Sequence, residues 1–74
     1  MERYANLSGT SGVAGYEITA DSITVLFKDG MRYLYTSGST GLQNILAMQA
    51  LAKAGSGLNS YIMRNTKMGY SRKW

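Results

Sequence analysis

Apolar and polar positions alternate most clearly between Ser22 and Lys28, where Ile23, Val25 and Phe27 are interleaved with Ser22, Thr24 and Lys28. A period of two marks a strand with one buried face, and Leu26 is its exception here. The chain before it turns at Ala20-Asp21, and either a two-residue or a four-residue loop there sets Ile18 opposite Ile23 and Tyr16 opposite Val25. The connection after it, Lys28-Asp29-Gly30, admits two registers. A two-residue Asp29-Gly30 turn puts Tyr33 on the face away from Val25. A three-residue loop with Gly30 left-handed pairs Phe27 with Met31, Val25 with Tyr33 and Ile23 with Tyr35. Only the second gathers the apolar residues on one face. The pattern therefore predicts an antiparallel meander whose buried face holds Tyr16, Ile18, Ile23, Val25, Phe27, Met31, Tyr33 and Tyr35.

After Ser37-Gly38-Ser39 the period changes to that of a helix. Thr40-Gly41-Leu42-Gln43 fits a capping box, and Leu42, Ile45, Leu46, Met48 and Ala52 fall on one stripe that stops at Gly55. A shorter helix follows, with Ser56 as a candidate cap, Leu58, Tyr61 and Ile62 at helical spacing, and Gly69 as its far bound. The fold class that emerges is α+β: a three-stranded antiparallel meander followed by two helices packed on one sheet face, with Phe27 and Tyr33 against Leu42, Ile45 and Ile62. Residues 1–12 read as a flexible leader because Leu7 to Gly12 are mostly small and polar; 13–69 form the domain and 70–74 a basic aromatic tail.

A chain of 74 residues has room for one core. It contains no Cys and no His, so no disulfide supports it, and zinc or another transition metal would lack its two commonest ligands; no metal or cofactor is expected. A thin core without such a staple leaves a homodimer as one expectation. No apolar stretch of signal-peptide or membrane-span length is present, which makes the expected location cytoplasmic and a membrane partner unexpected.

Net charge is +4, and it is unevenly spread. Residues 1–30 set Arg3 and Lys28 against Glu2, Glu17, Asp21 and Asp29, whereas residues 31–74 hold Arg32, Lys53, Arg64, Lys67, Arg72 and Lys73 with no carboxylate. Such asymmetry is the footprint of a polyanion-binding surface, or of a solvated helix face with a basic tail. Catalysis finds little support: general acid-base work wants a His or paired carboxylates in a pocket, and no Ser/Lys pair stands at a telling position. The segment Ser37 to Gly41 resembles a phosphate loop only in being glycine-rich before a helix, because it lacks the Gly-Lys-Ser/Thr ending.

Aromatic residues add the second half of a binding chemistry. Rings accept unpaired bases with little regard to sequence, and lysines and arginines neutralise phosphates. The combination is densest at the C-terminus, so Arg64, Lys67, Tyr70, Arg72, Lys73 and Trp74 are the expected nucleic-acid contacts. Trp74 has an alternative role, folding back to finish the core. Tyr33 and Tyr35 face the helices in the chosen register, with hydroxyls that reach the rim, so they serve either as core or as binding surface.

The order of these features resembles the KTSC domain, a family found at the C-terminus of some lysyl-tRNA synthetases and as small stand-alone bacterial proteins. The resemblance runs from about Val13 to Tyr70. It rests on Tyr33-Leu34-Tyr35 after a strand that ends in Phe27, Lys28 and the Gly30 turn, and on Gly57, Asn59, Ile62 and Arg64 downstream. Met63 stands where the family often has a basic residue, and Tyr70-Ser71 where it usually has Tyr-Pro. The resemblance implies Tyr33, Tyr35 and Asn59 as family-motif positions and RNA as a suggested ligand. The expectation is thus a non-catalytic module that binds nucleic acid, RNA first. The rival is a protein-interaction module or small homodimer using the open sheet face, with Leu26 and Leu34, or a free sheet edge.

Overall fold

A computed structural model describes residues 1–7, 9 and 11–74. The meander is present in the expected register. Strands β2 (Val13–Ile18), β3 (Ser22–Phe27) and β4 (Arg32–Thr36) pair Tyr16 with Val25, Ile18 with Ile23, Val25 with Tyr33 and Ile23 with Tyr35. The three-residue loop is closed by the Phe27 amide donating to the Met31 carbonyl (2.9 Å), while the Asp29 carboxylate accepts from the Met31 amide (2.9 Å). Gly30 sits at φ +92°, where an L side chain is strained. Nothing lies within 4 Å of a Cβ built there, so Gly30→Ala should cost backbone strain alone, about 1–2 kcal/mol, read as a lowered urea midpoint with unchanged slope. In β2 the pairing shifts between Val13 and Gly15, and this bulge lets Val13 as well as Tyr16 face the core although they stand three positions apart.

The sheet is wider than three strands. Its order is β1-β2-β3-β4-β5, with two-residue strands at both edges: β1 (Glu2–Arg3) against β2 and β5 (Arg72–Lys73) against β4. The expected leader is therefore largely part of the fold, although Ser8 and Thr10 lie outside the described residues. Tyr4 is 4% exposed, its amide donates to the Ala14 carbonyl (3.1 Å), and its hydroxyl accepts from the Leu58 amide (3.3 Å). The Leu7 amide donates to the Gly55 carbonyl (2.7 Å). Gly55 allows this strap to cross, since it stands at φ +78° and a Cβ there would lie 2.6 Å from that of Ala5. A two-residue strand carries no periodicity, and the small residues around it hide the one aromatic that anchors the segment.

The helical half also departs from expectation at its start. The capping box is formed by Thr36 and Ser39, whose side chains accept from each other's amides (3.1 and 3.0 Å) at the head of a one-turn helix, α1 (Ser37–Thr40). The chain then breaks at Gly41 (φ 93°, ψ 141°), and α2 (Leu42–Ala54) begins without a side-chain cap. Thr40 thus ends a helix instead of opening one; its carbonyl accepts from the Asn44 side-chain amide at 2.8 Å. Along α2, Ile45, Met48 and Ala52 are buried, but Leu42 and Leu46 belong to the neighbouring stripe and stand about half exposed, so neither packs under Phe27 and Tyr33. Gln49 fixes the helix to the β2–β3 turn by donating to the Thr19 and Ser22 carbonyls (2.9 and 3.0 Å).

Helix α3 (Leu58–Tyr61) starts after Gly57, not from a Ser56 cap, and runs on into a π-helical turn, Ile62–Thr66. With no side chain capping α3 locally, the Tyr4 hydroxyl provides the acceptor for Leu58 from the other end of the chain. The core lies between the inner sheet face and these helices: Val13, Ile23, Val25 and Tyr35 meet Ile45, Met48, Leu58 and Ile62, each at most 2% exposed. No helix among the described residues is long and apolar enough to cross a membrane.

Candidate nucleic-acid interface

The residues from Tyr70 onward, expected as a tail, return to the sheet. Trp74 and Arg32 exchange both backbone hydrogen bonds (2.9 Å each), and the Ser71 amide donates to the Leu34 carbonyl (2.6 Å). Pairing sets Lys73 beside Tyr33 and Arg72 beside Leu34. Strand alternation then separates residues adjacent in sequence: Lys73 projects on the inner, Tyr33 side, while Arg72 shares the outer face with Leu34. Arg72 lies over the Trp74 ring, 4.6 Å from its centroid. Trp74 does not complete the core; it remains 44% exposed.

On the inner side the helices leave one end of the sheet uncovered, and an aromatic cluster fills it. Tyr33 is met edge-on by Phe27 (5.2 Å, 84°) and by Tyr70 (5.1 Å, 89°). The Lys73 ammonium lies over both Tyr33 and Tyr70, 5.9 and 5.7 Å from their centroids. Together with Ile62 and Met63 from the π-helical turn, and Lys67 and Met68 beyond it, these rings line a groove of about 440 Å³. Lys28 and Asp29 from the β3–β4 loop line it as well. The lining carries three cations and one carboxylate, so the groove is electropositive, and its floor is apolar and aromatic.

Of the residues expected to bind nucleic acid, the groove unites Lys67, Tyr70 and Lys73. Arg72 and Trp74 lie on the other sheet face, and exposed Arg64 on the π-helical turn is not part of the lining. The family-motif positions also divide. Tyr35 is core, 1% exposed, and borders the groove; Tyr33 is half-buried and lines it; Asn59 is half-buried on α3 and is not part of the lining. The sequence places Phe27 in the core and Lys28 in a loop; their neighbourhood to Tyr70 depends on the β4–β5 pairing that no local pattern reveals.

Burial, and then the neighbouring Tyr33 and Tyr70 hydroxyls, push the Tyr35 phenol up to about 12. It therefore keeps its proton throughout the physiological range. The raised value also fixes a sign. Unfolded tyrosine ionises near its ordinary value of 10.0, so the stabilisation by neutral Tyr35 is complete below about pH 10 and is lost as pH rises towards about 12. Chemical denaturation across that alkaline window should show a falling midpoint, and Tyr35→Phe should remove most of the slope.

Compared with protein-family models, with curated proteins and with solved structures, the chain finds no match.

Proposed function

We propose that the protein is a non-catalytic module that binds single-stranded nucleic acid, RNA in particular, in the groove between the β3–β4 loop, β5 and the π-helical turn. The observation that carries this reading is the Tyr33–Tyr70 pair flanked by Lys67, Lys73 and Lys28. Aromatic faces take up unpaired bases, and ammonium groups at the rim take up the phosphates on either side. Membership of the KTSC family, with work in the cytoplasm, belongs to the same proposal and accords with the RNA ligand that resemblance implies. Proton-transfer chemistry is not part of it: the chain has no His, and a single carboxylate, Asp29, lines the groove.

The test is a fluorescence titration of labelled single-stranded RNA at several salt concentrations. Each phosphate neutralised contributes about 0.7 to the log-log salt slope, so three engaged lysines give a slope of about 2 in magnitude. Lys67→Ala with Lys73→Ala should lower the affinity and reduce the slope by about 1.4. Tyr70→Ala should weaken binding by about 1–3 kcal/mol and leave the slope alone, since stacking releases no counterions. Absence of binding at low salt would favour the second reading, an interaction face or homodimer on the outer sheet surface. There Leu26 and Leu34 are only partly covered and Trp74 is exposed.

A further inference from the structure

We propose that Lys73 is a built-in stand-in for a nucleobase: it covers the stacking faces of Tyr33 and Tyr70 in the free protein, and an incoming base displaces it onto that nucleotide's own phosphate. The inference rests on the nucleic-acid reading of the groove and names its ligand unit, one unpaired nucleotide with its phosphate, in preference to a nucleoside or a free anion.

The geometry supplies the argument. The backbone of β5 is held by the Trp74–Arg32 pair, so Lys73 cannot leave the groove as a whole; only its side chain can move. That side chain ends over two rings whose planes stand at 89° to each other, with Phe27 packed T-shaped against Tyr33. A base stacking in this corner must take the place of the ammonium. Cation–π attraction at an exposed site is equivalent to about two- to fivefold in an equilibrium constant, so the displacement is a modest obstacle. Lys28 and Lys67 line the same groove with Asp29 as their one carboxylate neighbour there, and a phosphate arriving with the base relieves the crowding of cations. A nucleoside must displace Lys73 with nothing to receive it. A free phosphate would leave the apolar floor of Phe27 and Ile62 uncovered.

The experiment is an NMR titration of the wild type and Lys73→Met with adenosine, adenosine monophosphate and inorganic phosphate, beside the labelled-RNA titration. In the free wild type, the Lys73 ε-methylene protons should be shifted upfield by the two rings and should return downfield on adding the monophosphate. The wild type should prefer the monophosphate to adenosine by about fivefold or more. Lys73→Met should hold adenosine equally well or about two- to fivefold tighter and the monophosphate more weakly, shrinking that preference. Inorganic phosphate should give no saturable shift at Tyr33 or Tyr70. The inference is overturned if the ε-methylene lacks the upfield shift, or if the variant loses adenosine and monophosphate in equal proportion or keeps both unchanged. It also fails if RNA binds while the monophosphate gives no saturable shift, an outcome that leaves the nucleic-acid reading standing. Failure of the wild type to bind RNA overturns that reading and the inference together.

Discussion

Tyr35→Ala is expected to cost about 3–5 kcal/mol, because it removes a large ring that is 1% exposed and packed among Ile23, Ile45 and Ile62. For a domain of this size each kcal/mol lowers the melting temperature by roughly 4–8 °C, so the midpoint should fall by at least about 12 °C. The loss has two parts, the transfer of the ring and the cavity left at the sheet–helix junction. Tyr33→Ala should behave differently despite being two residues away on the same strand face. Its ring is half-buried and borders the groove, so the variant should stay folded at a smaller cost and lose RNA affinity instead. Thermal melts by circular dichroism, paired with RNA titrations of both variants, distinguish the roles. Equal losses of stability would contradict this division of the two tyrosines into core and site.

The second large effect belongs to Tyr4. Tyr4→Ala should cost about 3 kcal/mol or more, as a buried aromatic lost from the core, and it should also loosen β1 from β2. Tyr4→Phe isolates the hydroxyl. It keeps the packing and removes the acceptor of the Leu58 amide, at a cost of about 0.5–1.5 kcal/mol. Amide hydrogen exchange at Leu58 should quicken in the Phe variant without a matching change at Ile45. Wild-type stability in Tyr4→Ala would show that the N-terminal strap contributes nothing to the core.

The three central strands were legible because each long strand writes its own periodicity, and because Gly30 left one register in which Phe27, Tyr33 and Tyr35 agreed. The edge strands were not, since two residues cannot display a period and their pairing joins segments that are distant in sequence. The helical period locates α2 but makes its buried stripe too broad: Leu42 and Leu46 are apolar neighbours of the buried line, not members of it. The capping box expected at Thr40 does not form, because Thr36 and Ser39 complete a reciprocal cap four residues earlier that opens the separate turn α1, and α2 begins uncapped after Gly41. For the site, composition pointed to Lys67, Tyr70 and Lys73. Charge clustering also swept in Arg72 and Trp74, which the alternation of β5 sends to the opposite face. Lys28 and Phe27 come from the acidic half of the chain and enter the groove only through tertiary pairing.

The brevity of β1 and β5 bears on how the protein behaves at high concentration. A sheet edge recruits another chain in proportion to the length of backbone it leaves unpaired, and here each outermost strand is two residues long and carries charge, with Glu2 and Arg3 on one side and Arg72 and Lys73 on the other. The longer strands β2 and β4, apolar on one face, lie just inside these covers. Trimming either end of the chain would therefore do more than weaken the fold. It would turn a protected strand of five or six residues into a template for edge-to-edge growth, so that the visible consequence of losing a few terminal residues would be self-association.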